Sequence, residues 1–192
     1  MKRAYVCGMA LALLALPGAA VAHDHGEKPA TAAGAAAGGA EVRAEILRQL
    51  GDAEEKLMAL AEAMPAEKYG WRPAEGVRTV GEVFLHVAGG NYFLPTFWGV
   101  KPPEGIDMRA IEKDGADKAK VIAGLKRSFD HARKAIADVP EAEMGKAIKI
   151  FGRDGSVREA FMIDATHAHE HLGQAIAYAR MNGIAPPWSR GE

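Results

Sequence analysis

The stretch DATHAHEHLGQAIAYARMNG, residues 164–183, packs His167, His169 and His171 into five positions, and the fold turns on whether it is strand or helix. In a strand, side chains two apart share a face, so all three imidazoles would line up and imply a sheet-borne metal site. In a helix, residues four apart share a face and residues two apart diverge by about 200°. The flanks decide for helix. Ser156-Val157-Arg158-Glu159 has the form of a capping box after an Asp154-Gly155 turn, and Gly183 and Pro186 close the segment downstream. His167 and His171 can therefore hold one ion together, whereas His169 leaves the pair and turns to solvent or to the flank.

Three further helices follow from caps and periodicity. Apolar residues recur at helical spacing through Ile46, Leu47, Leu50, Leu57, Leu60 and Ala61, a first helix that runs from Val42 to about Ala63 and stops at Pro65. Thr79-Val80-Gly81-Glu82 is a second capping box; it opens a helix that carries His86 and ends near Pro95. Asp117 or Asp114 caps a third, whose apolar stripe of Ile122, Leu125, Phe129, Ile136 and Val139 ends before Pro140 and leaves His131 to one side. AIKIF, residues 147–151, could form a short strand, but one strand alone makes no sheet, so the domain reads as all-α. The connections are long for a simple bundle, and long crossovers are expected.

Outside these helices the chain is simple. Residues 1–22 run from Lys2 and Arg3 through an apolar stretch to Ala20-Val21-Ala22, the pattern of a secretory signal peptide cut after Ala22, which predicts a periplasmic or secreted protein with no membrane attachment after cleavage. Residues 23–40, including the small and repetitive PATAAGAAAGGA, read as a flexible tether. Residues 41–188 are one domain and 189–192 a tail. The single cysteine, Cys7, lies within the signal segment, so the mature chain has neither disulfides nor thiolate chemistry. Loss of Lys2 and Arg3 changes 24 basic against 25 acidic residues to 22 against 25, a net charge of −3 that offers nucleic acid no footprint. Cleavage would also leave His23-Asp24-His25 at the terminus, where a free amine and a histidine at position three can wrap copper or nickel in a square plane.

A pair of histidines needs a third ligand to make a useful site. His86 is the best candidate, one turn after Glu82 on an apolar helix face where an unpartnered imidazole would be costly. The zinc-protease pattern is missed on both readings: Ala168 follows His167 where glutamate is required, and His169-Glu170 finds Gly173 at its far end. Asp164 and Gln174 lie a turn to either side of the pair and could orient its rings. Tyr69, Trp71, Tyr92, Phe93, Phe97 and Trp98 read as core aromatics rather than pocket walls.

KYGWRPAEGVRTVGEVFLHVAGGNYF and the ending HxxxHLGQAIAYARMNGIAPP, in this order, resemble the DinB-like (damage-inducible, YfiT-like) superfamily of metal-binding four-helix bundles. The resemblance covers residues 41–188. It implies an up-up-down-down bundle with long crossovers, usually a homodimer, and a divalent ion held by one histidine of the second helix and two of the fourth: here His86, His167 and His171. Many members carry arginine after the last histidine, where this chain has Leu172, so a contact by that arginine does not carry over. Some relatives transfer thiols with cytoplasmic cofactors that an exported protein would not meet.

Three nitrogen ligands leave open positions, as catalytic sites do, and imidazoles suit zinc or nickel. The expectation is an exported metal-dependent hydrolase or transferase acting on a small molecule, its catalytic groups and substrate unspecified. The alternative is a non-enzymatic periplasmic metal-binding or metal-handling protein, with tight binding and no substrate pocket. An electron-transfer bundle finds no support, because the chain has no CxxCH and no Glu-x-x-His pair.

Overall fold

The computed structural model describes residues 32–108 and 110–189. The signal segment, the His23-Asp24-His25 terminus and the tail beyond Ser189 lie outside them. Four helices make the domain: α1 (Ala32–Ala63), α2 (Val80–Phe93), α3 (Lys118–Ala137) and α4 (Val157–Met181). Helix α1 begins inside the segment read as a tether, whose residues 32–40 extend it; alanine, which dominates there, is the best helix former, and local propensity suffices to continue a helix already docked downstream. None of the described helices is long and apolar enough to cross a membrane.

The caps explain the starts. Thr79 Oγ1 accepts from the Glu82 amide (3.2 Å) and the Glu82 carboxylate accepts from the Thr79 amide (2.7 Å), a complete capping box. Asp117 caps α3 by accepting from the Lys120 amide, while Asp114 pairs with the Lys120 ammonium (2.9 Å). Ser156 accepts from the Glu159 amide, but that box is only half made: Ser156 is already paired with Ala147 in a strand ladder, and Glu159 turns to Arg153.

That ladder corrects the reading of residues 147–156. Strand β1 (Ala147–Ile150) does have a partner, β2 (Arg153–Ser156), in an antiparallel hairpin. The turn is Phe151-Gly152, with φ of 49° and 83°, and Asp154-Gly155 lies within β2. Asn-Gly or Asp-Gly is the usual signal for such a turn, and phenylalanine at positive φ hides it. The domain remains all-α apart from this one hairpin.

Helix α1 packs against α3 and α4, and so does α2. Lys118, at the start of α3, donates to the Glu62 and Met64 carbonyls at the end of α1 (both 2.7 Å), and Arg43 near the start of α1 pairs with Glu141 beyond the end of α3 (3.0 Å), so these two helices are antiparallel. Helix α2 runs with α3: Gly81 lies against Gly115, Asn91 donates to Ser128 (3.0 Å) and Trp98 donates to the Ala135 carbonyl (3.2 Å). Helix α4 opposes α2, with Phe161 on Trp98 and His171 on His86.

The order is therefore up-down-down-up, not up-up-down-down. Only the connection 94–117 crosses back along the bundle. The segment 64–79 folds at one end, where the Tyr69 hydroxyl donates to the Ala61 carbonyl (2.6 Å), and 138–156 turns at the other through the hairpin. Between the helices Leu50, Leu57, Leu60, Val83, Leu125, Phe129, Ile136 and Phe161 form the fully buried core.

Candidate metal centre

The antiparallel crossing of α2 and α4 brings the single histidine of one to the i, i+4 pair of the other. His86, His167 and His171 each offer one nitrogen, and the three lie within 4.8 Å of one another. Among the described residues no other group of histidines, cysteines and carboxylates converges in this way. His86 Nε2 and His167 Nε2 stand 3.3 Å apart. That matches the edge of a tetrahedral site, because two metal–nitrogen bonds of about 2.0–2.1 Å at the tetrahedral angle set their nitrogens about 3.3 Å apart.

Neighbouring groups select the atoms that can ligate. The Glu112 carboxylate accepts from His86 Nδ1 (3.0 Å), which places that proton on Nδ1 and frees Nε2. Gln174 Oε1 accepts from His171 Nδ1 (2.8 Å), and the Gln174 amide in turn donates to the Tyr178 hydroxyl (3.2 Å), so the amide is anchored at both ends. Arg78 Nε lies 3.1 Å from both Glu112 oxygens and fixes the carboxylate. Gly90 admits the His167 ring: a Cβ there would sit 2.3 Å from Cε1 and 2.6 Å from Nδ1.

Burial tunes the rings toward the ligating form. It lowers the His167 pKa to about 4, helped by His171, His86 and Arg78. Burial also lowers His86, against the raising effect of its bond to Glu112, with Arg78 and His171 adding to the decrease. Both imidazoles are thus neutral at pH 7, and a neutral imidazole is what a metal takes.

Of the two expected orienting residues, Gln174 meets the site and Asp164 does not. Asp164 is fully buried, neither of its oxygens has a hydrogen-bond partner among the described residues, and burial raises its pKa to about 8. His169 Nε2 meets the Gln49 backbone carbonyl on α1 (3.0 Å), on the flank and away from the centre. Leu172 belongs to the core. His131 packs beside Tyr92, and burial lowers its pKa.

The aromatic group divides. Tyr69 and Tyr92 are buried, and Trp71 and Trp98 pack on the core, as expected. Phe93 does not: 40 % exposed, it lines a cavity of about 670 Å³ whose wall also includes His86, His167, Arg78, Glu112 and Phe151. The sequence reading missed Glu112, Arg78 and Gly90. Glu112 lies 26 residues from its partner in a connection with no periodic pattern, so nothing local marks it. Gly89-Gly90 inside a helix was a readable signal, since glycine there costs about 1 kcal/mol against alanine and implies a close approach.

Residues 49–175 match the profile of the DinB superfamily. The structure superimposes on that of a DinB-like protein from Bacillus cereus with a TM-score of 0.65 at 17 % identity, over 74 % of this chain and 93 % of that one. A DinB-like protein from Bacillus subtilis aligns over 73 % of this chain and 93 % of that one at 19 % identity, with a TM-score of 0.48. A search of curated proteins finds no match.

Proposed function

The chain belongs to the DinB superfamily, and on that premise we propose that it is an exported metal-dependent enzyme, a hydrolase or transferase of a small molecule, whose ion is held by His86, His167 and His171. The observation that carries this reading is the convergence of three imidazole nitrogens, with His86 and His167 on the wall of a cavity large enough for a substrate. A site meant only to sequester metal needs no such space beside it, which weighs against the metal-handling alternative.

Zinc or nickel is the ion of choice for the donor set. When bound, a divalent ion with open positions supplies Lewis-acid polarisation of an oxygen or sulfur donor. The chain's own groups do the rest. Glu112, steadied by Arg78, and Gln174, steadied by Tyr178, hold the rings of His86 and His171 by their Nδ1 protons. Gly90 lets His167 close on His86. Cleavage after Ala22, a periplasmic or secreted location and a homodimer complete the proposal; N-terminal sequencing of the exported protein and sedimentation would check them.

The deciding experiment is metal analysis of the purified protein beside His86→Ala, His167→Ala and His171→Ala. About one equivalent in the parent is expected, with at least a tenfold loss of affinity in each variant. Equal metal content in all four proteins would sink the site.

A further inference from the structure

The cavity beside the three histidines has a composition that narrows what it takes. The apolar side chains of its lining are Phe93, Leu94, Met108, Ile111 and Phe151. Among the described residues, Arg78 and Glu112 are the charged side chains of this lining other than the histidines, and they pair with each other, with Arg78 Nε 3.1 Å from both carboxylate oxygens. Against the apolar side chains a charged substrate body would lose its water without gaining a counter-charge from them, which is unfavourable.

Phe151 gives the second, independent observation. It sits at the tip of the hairpin with φ of 49°, in the left-handed region that a bulky residue seldom adopts, at a turn position that asparagine or glycine would fill without strain. It is 64 % exposed, so core packing does not account for it. What the strained position does is set the Phe151 ring against Phe97 (centroids 4.8 Å) and Phe93 (6.1 Å), an aromatic lip partly open to water at the cavity. Strain of this kind gathers at ligand-contacting positions.

We infer that the site takes a small molecule with an uncharged, aryl-sized apolar body lying against Phe93 and Phe151 and one oxygen or sulfur donor turned toward His86 and His167. The inference rests on the metal centre proposed above and adds the substrate class. A volume of about 670 Å³ suits a ligand of that size.

Three hydroxamates test it by calorimetric titration of zinc-loaded protein, because they share a metal-binding head and differ only in the body. Benzohydroxamate is expected to bind about tenfold more tightly than acetohydroxamate, and 4-carboxybenzohydroxamate to lose most of that advantage. Phe151→Asn, which suits the turn, is expected to keep or raise the melting temperature, leave acetohydroxamate binding unchanged and cut the benzohydroxamate preference about threefold or more. Equal affinities for the three probes, or a preference that survives Phe151→Asn, would overturn the inference. So would a self-association abolished by Phe151→Asn with probe affinities unchanged, which would assign the lip to a second copy of the chain. A protein that takes up no more zinc than His167→Ala fails the metal reading itself, whereas one that binds zinc but holds the probes equally fails only this inference.

Discussion

Glu112 shows how much one side chain outside any long helix can decide. Its carboxylate fixes the tautomer of His86 and is itself fixed by Arg78, so it controls which nitrogen faces the centre. Glu112→Ala should lower zinc affinity about 10- to 100-fold without removing a ligand. Competition against a chelator of known affinity measures this, and an unchanged constant would mean that the ring is held by packing alone. At the same scale Gln174 was legible and Glu112 was not. Gln174 lies three residues from His171 on one helix, where spacing alone predicts contact, while the Glu112–His86 bond spans a connection whose path no local pattern describes.

At the scale of elements, α2 and α4 can close on each other because α2 carries glycine where the imidazole lands. Gly90→Ala sets two effects in opposition. Alanine favours the helix by up to about 1 kcal/mol, but its Cβ would fall 2.3 Å from His167 Cε1. The ring must move, so zinc affinity should drop at least about tenfold while thermal stability changes little, a split that comparison of the melting curve with the metal titration would reveal. The hairpin teaches the opposite lesson about legibility. Strand β1 is recognisable by composition, but its turn violates the chemistry that normally announces one, so composition puts Phe151 at the end of the strand and the turn at Asp154-Gly155.

Across the whole molecule the perturbed groups combine into a pH profile for the metal-free protein. His167, with its folded pKa near 4 against an ordinary 6.5, binds fewer protons folded than unfolded between those values, so stability rises with pH through that window. His86 and His131, also lowered by burial, act in the same direction. Asp164 opposes them: raised to about 8, it keeps its proton in the fold, and its contribution, complete below 3.8, is lost as pH rises toward 8. Between about pH 4 and 6.5 His167 and Asp164 nearly cancel, with His86 and His131 on the side of His167, and above 6.5 Asp164 acts alone. Stability therefore declines from about pH 6.5 toward pH 8, by up to about 1.4 kcal/mol per unit. Urea denaturation across pH would trace it, and Asp164→Asn should flatten the alkaline limb; a limb unchanged by that substitution would show the carboxyl is not its source.

By itself the sequence determined the four helices, their caps and the phase that pairs His167 with His171 and dismisses His169, because caps and periodicity are interactions between residues a few positions apart. It also singled out His86 as the histidine to join that pair, through its apolar face and the family resemblance, and the structure brings the three together. Only the tertiary structure decided the order of the bundle, since a loop's length does not say whether it crosses the bundle or folds back at one end. It alone brought Arg78 and Glu112 to His86, left Asp164 buried with no partner among the described residues, and turned Phe93 from the core to the cavity. Those outcomes depend on which faces meet after the chain has closed, a long-range condition that no short window of residues contains.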